Sequence, residues 1–345
     1  MWEVDEFRLS DTKLPGPSTY KSRIAFNKFD KFIIQYAERK GQNENSVNIE
    51  ALKFESILMN NLNHPYIQKC LELRENALLK KKGTHIPITY GIYEYVGKND
   101  LFDLISKTSG LQEEIAIYYL KQMAEAIKYL HERKIYHRNL KVENFLVNDN
   151  FTQVKLKGLK SSTNKNYNTD HNIVGTKFYI APEIIKQEQY LGEEIDIFSL
   201  GVTLFIMIFG KVPFHSASSI DGSYQMIMQK NSEKFWNEVN LKIKKTISDE
   251  LKELIFSMLA YNPLDRPSVK HILANALLES IEKKITPDFL RIQFQFRLNG
   301  NKEEERIHHY SNSSTSLINY ANSSNTKFPF ITELHITPEE ISPIR

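Results

Sequence analysis

The chain has 345 residues and a formal net charge of +3 at pH 7, with 41% apolar and 25% charged residues. This length suits one large two-lobed domain or two ordinary domains with a buried core. The small net charge argues against nucleic acid or membrane partners. Cys70 is the only cysteine, which excludes an intrachain disulfide and a cysteine metal cluster and indicates a reducing, cytoplasmic setting.

The sequence gives no sign of a targeting or membrane segment. Residues Met1 to Glu6 lack the basic flank and the apolar core of a signal peptide. The longest apolar run, Leu200 to Phe209, has about half the length that a membrane span requires. We therefore predict a soluble protein and interpret this run as a buried helix.

Hydrophobic patterning divides the chain near residues 90 to 100. Before this point the pattern is typical of short strands around one helix, and after it helical periodicity dominates. A small β lobe followed by a larger helical lobe is an α+β arrangement with a cleft between the lobes. The predicted strands are Arg23 to Phe26, Lys31 to Tyr36 and Pro87 to Tyr95, and the predicted helices are Val47 to Asn61, Leu111 to Arg133, Ile195 to Phe209 (closed by Gly210) and Ser248 to Ala260 (capped by Ser248).

The C-terminal part has a different composition. From about Asn299 onward, charged and Ser/Asn-rich stretches bury too little apolar surface to offset chain entropy, so we predict disorder there. Two apolar pieces are exceptions, the β-prone stretch Phe289 to Phe296 and the cluster Phe328 to Ile331. We expect them to pack back on the domain, with partner binding as the alternative.

Four motifs, in order, resemble those of eukaryotic protein kinases. Tyr136 to Asn144 resembles the catalytic loop, and Gly175 to Glu183 resembles the G-T-x-x-Y-x-A-P-E end of the activation segment. Asp196 to Gly201 resembles the D-x-W-S-x-G helix start, and Asn262 to Pro267 resembles the late arginine motif. The resemblance covers about residues 14 to 280 and implies a two-lobed kinase fold.

The resemblance also implies domain boundaries and structural residues. We expect an extension over residues 1–13, an N-lobe over 14–95, a C-lobe over 96–280 and a tail over 281–345. In kinases the late arginine pairs with the A-P-E glutamate, so a buried Glu183–Arg266 ion pair is expected here. Breaking such a pair from one side costs about 3–5 kcal/mol. Asp196 is the third residue expected to serve the architecture.

The catalytic loop lacks the residue that does the chemistry. The family pattern is H-R-D-L-x-x-x-N, in which Asp accepts the proton of the substrate hydroxyl. Asn139 takes the place of that Asp, and an amide cannot take up a proton near neutral pH. The other loop residues, His137, Arg138, Lys141 and Asn144, are retained.

The phosphate-binding elements are also degenerate. In place of a glycine-rich loop, only Gly16 remains, between two prolines that lack N–H donors. The strand-three lysine is replaced by Gln35 or, with a one-residue slip, by Tyr36. Its usual partner Glu55 is present, and we expect it to bond Gln35 or to face solvent.

The metal-binding D-F-G motif is missing as well. Its place is taken by Lys157, Gly158 and Leu159, with no acid before Asp170. A neutral or basic residue cannot anchor the magnesium that bridges the β- and γ-phosphates. We therefore expect no metal site.

The segment Tyr93 to Val96 resembles the kinase hinge. We expect no cofactor, but this resemblance keeps ATP binding without a metal ion as an alternative. In kinases the hinge binds adenine through its backbone. The resemblance implies that a nucleotide would contact Gly16, Lys21, Ile24, Gln35, Glu55, Glu94, Val96 and Asp100.

These losses predict a pseudokinase that regulates or scaffolds other proteins, such as an active kinase or its substrates. One alternative is an active Ser/Thr kinase in which Lys21 replaces the missing lysine and Glu143 or Asp149 replaces the missing acid. Another is a kinase-fold nucleotidyl transferase in which Lys157 and Lys160 clamp the phosphates.

Overall fold

The computed structural model describes residues 2–14, 20–39, 46–165, 167–168 and 173–294. A closed antiparallel barrel forms the N-lobe, with strand order β1-β2-β3-β4-β6-β5. The three predicted strands correspond to β3, β4 and β6. The strands are β1 (Trp2–Val4), β2 (Phe7–Leu14), β3 (Lys21–Phe26), β4 (Lys31–Glu38), β5 (Cys70–Lys81) and β6 (Thr84–Glu94).

The start of the chain is part of this barrel, although the sequence suggested an extension over residues 1–13. Strand β1 pairs with both β2 and β5 and so joins the two ends of the sheet. Phe7 and Leu9 point into the barrel core with Ile34 and Tyr36, because alternate residues of a strand face the same side. The burial of these side chains holds residues 2–14 against the lobe.

Helix α1 (Ser46–Asn60) is the one helix of the N-lobe in the described ranges. Leu52 and Met59 on this helix are fully buried, and Leu52 packs with Ala37 of β4 and with Tyr20. Glu55 lies on the same side of the helix as Leu52 and Met59, since residues three and four apart share a helix face. Packing on the barrel therefore directs Glu55 inward, toward the cleft.

The C-lobe is built around one buried helix. Helix α5 (Gly192–Phe209) has almost all of its side chains buried and ends at Gly210, whose φ of 65° is the left-handed conformation that glycine adopts readily. No helix in the described part of the chain is both long and apolar enough to cross a membrane. The other helices are α2 (Leu101–Thr108), α3 (Glu113–Glu132), α4 (Pro182–Ile185), α6 (Gly222–Met228), α7 (Ser232–Ile243), α8 (Asp249–Met258), α9 (Val269–Leu273) and α10 (Ala276–Ser280).

Two small sheets complete the C-lobe. The strands β7 (Asn99–Asp100), β8 (Phe145–Val147) and β9 (Val154–Leu156) form one sheet, and β10 (Tyr167–Asn168) pairs with β11 (Tyr190–Leu191). The catalytic-loop resemblance ends where β8 begins, and the D-F-G position follows β9 directly. This sheet therefore sets the positions of both degenerate motifs.

The described end of the chain is helical over residues 287–294, whereas the sequence suggested a β-prone stretch from Phe289 to Phe296. Leu290 and Phe294 are buried, and the Phe294 ring lies 4.7 Å from the Phe151 ring, so that a spacing of four residues places both on the C-lobe. This part of the tail packs on its own domain, as expected. The Phe328–Ile331 cluster and the predicted disorder lie outside the described residues.

Candidate functional site

Asp196 of α5 holds the backbone of the catalytic-like loop. Its carboxylate, 1% exposed, accepts hydrogen bonds from the backbone N–H groups of His137 and Arg138, each at 2.8 Å. It also bonds His131 Nε2 at 2.9 Å. Arg138 has a φ of 61°, and these bonds hold it in that uncommon conformation. Burial lowers the pKa of the His137 imidazole, so His137 favours its neutral form.

Asn139 occupies the position of the catalytic base. Its side-chain Oδ1 accepts a hydrogen bond from the Thr176 hydroxyl at 2.9 Å, and its backbone carbonyl accepts one from Asn144 Nδ2 at 2.8 Å. The Lys141 ammonium lies 3.7 Å from the Glu143 carboxylate. The loop thus has an intact hydrogen-bond network with a neutral amide at its centre.

The D-F-G position has the shape of a glycine site. Gly158 has a φ of +86°, and an added Cβ would lie 2.7 Å from Asn144 Oδ1. No group of three or more His, Cys, Asp or Glu side chains in the described ranges could hold a metal ion. Lys157, beside Gly158, has its ammonium 3.8 Å from Asp100. The amide of Asn144 and the nearby cations are a poor fit for magnesium, which prefers carboxylate oxygens.

The sheet decides between the two candidates for the lysine position. Tyr36 faces into the barrel, where its hydroxyl accepts a hydrogen bond from Arg23 Nε at 3.2 Å. Gln35 therefore faces the cleft side with Ile33 and Ala37, because consecutive strand residues alternate in direction. Gln35 is 6% exposed, and its Oε1 atom has no hydrogen-bond partner among the described residues.

Glu55 neither bonds Gln35 in the described structure nor faces solvent, contrary to the expectation. It is 1% exposed and accepts hydrogen bonds from the Tyr20 hydroxyl and from the backbone N–H of Leu159 at 3.1 Å. Burial raises the pKa of this carboxyl, while these bonds and the charge of Lys160 oppose the rise. Tyr20, which sequence reasoning missed, takes the place of the lysine as the partner of Glu55.

The other predicted phosphate-side residues lie apart from Glu55. The Lys21 ammonium pairs with Glu38 on the neighbouring strand, at the surface of the barrel. Ile24 is partly buried against the main core. Gly16 lies outside the described residues, and so does Asp170. The Lys160 ammonium lies 5.9 Å from the centroid of the Tyr20 ring, and its positive charge interacts with the Glu55 carboxyl.

Both the side chain and the backbone of the hinge residue Glu94 accept hydrogen bonds. The Glu94 carboxylate accepts from Lys155 Nζ of β9, with both oxygens at 2.8 Å, and from the backbone N–H of Lys69 at 2.8 Å. The Glu94 backbone carbonyl accepts from Gln68 Nε2 at 3.0 Å. Tyr93, which precedes it, is fully buried and shares a 2.8 Å hydrogen bond with the Ser56 hydroxyl of α1.

Asp100 serves as the N-cap of helix α2. Its carboxylate caps the helix by accepting from the backbone N–H of Asp103 at 3.1 Å, and it is 6% exposed. Burial raises the pKa of Asp100 to about 7, although the Lys157 charge opposes that rise. The N-cap is part of a reciprocal pair, because the Asp103 side chain bonds back to the Asp100 N–H.

Four of the seven described residues that were predicted to touch a nucleotide are shielded from water. A ligand-free pocket would expose its lining, but several of these side chains are less than a tenth exposed. One surface cavity, of about 640 Å³, lies beside Phe289 in the C-lobe. Another, of about 530 Å³, lies at the β3–β4 hairpin and is lined in part by Tyr95 of the hinge. The shielded residues are Gln35, Glu55, Val96 and Asp100.

The architectural pair is present as expected. Arg266 donates to both carboxylate oxygens of Glu183, at 2.7 and 2.8 Å, and the two side chains are 0% and 5% exposed. Arg266 also donates to the backbone carbonyls of Ala260 and Glu194, so the guanidinium is well satisfied although it is buried.

Three residues of this site were missed by sequence reasoning: Tyr20, Gln68 and Lys155. Tyr20 follows the degenerate glycine loop, where no motif marks it. Gln68 lies beside a second polar residue, Lys69, in the segment from Tyr66 to Cys70, and no sequence signal marked it. Lys155 lies on β9, and its partner Glu94 lies on β6, 61 residues earlier in the chain. The sequence alone does not show that these two strands meet.

Comparison with known proteins gives a family match. A family model described as "Protein kinase domain" matches residues 27–278. A probable serine/threonine-protein kinase KIN1 homolog of Encephalitozoon cuniculi is 30% identical over 74% of this chain and 45% of its own length. CBL-interacting serine/threonine-protein kinase 20 of Arabidopsis thaliana is 32% identical over 69% of this chain and 50% of its own. The carbon catabolite-derepressing protein kinase of Candida glabrata is 29% identical over 87% and 45%, so the chain spans half or less of these relatives.

Proposed function

The chain belongs to the protein kinase family, and we propose that it is a catalytically impaired member, a pseudokinase. Its role would be to regulate or scaffold other proteins in the cytoplasm, such as an active kinase or a kinase substrate. The observation that carries this proposal is the absence of an acid at both positions where phosphoryl transfer needs one. Asn139 stands at the base position, and Gly158 stands at the metal position.

The contacts of the cleft support this reading because they replace catalytic contacts with structural ones. In an active kinase Glu55 would hold the strand-three lysine, but here it is satisfied by Tyr20 and Leu159. Loss of a general base alone typically slows a reaction by about 10²–10⁴-fold. Loss of the metal anchor affects the same transition state and cannot restore that rate.

The two enzymatic alternatives find little support in these contacts. Lys21 pairs with Glu38 and has no described contact with Glu55. The Asp149 carboxylate accepts a hydrogen bond from the hydroxyl of the hinge residue Tyr95 at 3.1 Å. Glu143, beside Lys141, is the remaining candidate acid of the loop. Nucleotidyl transfer would need a metal-binding acid as well, and the position beside Lys157 and Lys160 holds glycine.

A surface on α1 supports a role in binding proteins. Val47, Phe54 and Ile57 occur at spacings of seven and three residues, which place them on one face of the helix. They are 78%, 46% and 54% exposed, unusual values for apolar side chains on one face. We propose that a protein partner covers this face, and that the affinity of this partner depends on the position of α1.

A phosphoryl-transfer assay tests the lack of catalysis. The purified protein is incubated with ATP, magnesium or manganese, and a general protein substrate, and the substrate mass is measured. We expect no added phosphoryl group and no added nucleotide. A phosphorylated substrate would overturn the proposal if the product is lost in Asn139→Ala or Glu143→Gln. Loss in either variant would show that this loop catalyses the transfer, and loss in Glu143→Gln would identify Glu143 as the base.

A contaminating kinase would give a product that survives both substitutions, and these variants are therefore the controls.

The partner surface is tested separately, by co-purification from cells of the wild type and of Phe54→Asp. Loss of a kinase or of a kinase substrate from the Phe54→Asp sample is expected. Equal recovery would show that the α1 face is not the binding surface.

A further inference from the structure

Gln68 makes a hydrogen bond to the backbone of the segment that resembles the kinase hinge. Its side-chain Nε2 donates to the backbone carbonyl of Glu94 at 3.0 Å, across 26 residues of sequence. The bond also fixes the orientation of the amide, because only the nitrogen can donate to a carbonyl. The Oε1 atom is therefore directed away from Glu94.

The second atom of the Gln68 amide, Oε1, is buried. Gln68 is 1% exposed, and its Oε1 has no hydrogen-bond partner among the described residues. Gln35, at the lysine position, has an unpartnered Oε1 as well. A buried amide oxygen without a donor costs stability, so a purely structural core would favour an apolar residue at position 68.

The surrounding contacts hold the backbone of Gln68 beside the hinge. The Gln68 backbone N–H donates to the Leu156 carbonyl at 2.9 Å, which ties it to the floor of the cleft. The Glu94 N–H donates to the Lys69 carbonyl at 3.0 Å, and the Glu94 carboxylate is held by Lys155. The backbone segments that carry the donor and the acceptor are therefore held beside each other.

We propose that Gln68 is a built-in occupant of the hinge, which fills the place of an adenine amino group and excludes adenine from the cleft. The proposal deepens the proposed function, because it names the residue that closes the nucleotide site. An apolar residue at position 68 would free the Glu94 carbonyl and remove the amide from the space behind it. The carbonyl would then favour a ligand with an N–H donor, since an unpaired buried acceptor is costly.

The test is the binding of adenosine to Gln68→Val, measured by isothermal titration calorimetry. Adenosine has no phosphates, so its binding depends on the hinge and not on the degenerate metal and lysine positions. We expect the Kd of Gln68→Val to be at least tenfold lower than that of the wild type, which corresponds to about 1.4 kcal/mol. The same titration is repeated with Gln68→Leu, in case the valine variant does not fold.

Gln225→Leu is the control, because it removes a glutamine amide that also donates to a backbone carbonyl, that of Ser219, but lies on α6 of the C-lobe. We expect its adenosine affinity to equal that of the wild type. The inference would be overturned if folded Gln68 variants bind adenosine no better than the wild type, or if Gln225→Leu gains as much as they do. Each result is independent of the transfer assay, because adenosine carries no phosphate to transfer.

Discussion

The buried Glu183–Arg266 pair of the helical lobe and the Asn139–Gly158 region of the cleft are both places where the family motifs call for charged residues. The first has kept both charges, with bidentate hydrogen bonds and side chains at most 5% exposed. The second has neither carboxylate. Asn139 still accepts from Thr176, and Gly158 fits closely against Asn144.

The difference follows from what each group does for the folded state. A buried ion pair cannot lose one member without leaving an uncompensated charge, so both members persist together. A catalytic carboxylate works on a bound substrate and contributes little to the fold. An amide of the same shape can therefore replace it without disturbing the loop.

The largest expected effect is that of Arg266→Met, which would leave Glu183 buried without its partner. We expect a loss of about 3–5 kcal/mol in the free energy of unfolding, measured by urea denaturation. Adding Glu183→Met to this variant should recover part of the loss, because the unpaired charge is then removed. Lys230→Met is the control: its pair with Asp265 is at the surface, with the lysine side chain 78% exposed, and it should change stability by less than about 1 kcal/mol. A double variant less stable than Arg266→Met would contradict this account.

A smaller loss is expected for Gly158→Ala, which tests how closely the cleft is shaped around the missing acid. The φ of +86° costs an alanine about 1–2 kcal/mol, and the Cβ contact with Asn144 at 2.7 Å adds to that cost. Gly83→Ala is matched to it, since Gly83 has a φ of +83° and nothing within 4 Å of its added Cβ. The excess loss in Gly158→Ala over Gly83→Ala measures the contact with Asn144. Equal losses would mean that Asn144 moves aside freely and that the position could hold an acid.

A pH-dependent effect is expected at Asp100. Its pKa is raised from 3.8 to about 7, so folding favours the protonated carboxyl, and the stability this provides below about pH 4 is lost as the pH rises through about 7. The slope is at most about 1.4 kcal/mol per pH unit. Asp100→Asn keeps an N-cap acceptor but does not titrate, so its stability should fall less between about pH 5 and about pH 8. Parallel stability curves in urea denaturation would show that Asp100 has an ordinary pKa.

The smallest effect is expected for Lys21→Ala. Its pair with Glu38 lies on the barrel surface, with the lysine side chain 43% exposed, and such pairs contribute about 0–1 kcal/mol. We expect no change in ATP-dependent stabilisation, measured by thermal shift with and without magnesium. A shift seen in the wild type and lost in Lys21→Ala would indicate that Lys21 contacts phosphate, and the active-kinase alternative would gain support.

Much of the fold could be predicted because its signals are local or belong to motifs. Ser248 caps α8 by accepting from the Leu251 N–H, and Gly210 ends α5, as the sequence patterns indicate. The Glu183–Arg266 pair was expected from the motifs that hold the two residues. Strand β2 was not predicted, because only two of its eight side chains are buried and its sequence has no long apolar alternation.

The cleft was harder to predict because its contacts join distant parts of the chain. Whether Gln35 or Tyr36 faces the cleft depends on the register of β4, which one strand alone does not fix. The partner of Glu55 is Tyr20, a residue 35 positions earlier that no motif connects to it. Gln68 lies two residues before β5, and the pairing of β5 with β6 brings it beside the hinge residue Glu94. Such pairings follow from the assembled lobe and not from any short window of sequence.

The three-residue strand β1 has a consequence for solubility. It pairs with β2 on one side and with β5 on the other, so that the sheet of the N-lobe has no unpaired rim among the described residues. Unpaired rims invite strand addition by peptides and edge-to-edge aggregation. A fragment that begins at residue 27, where the family match begins, would lose three strands and leave two such rims exposed. With β1 in place, the barrel offers no such rim among the described residues, and strand addition to this sheet is not the mode of partner binding that we expect.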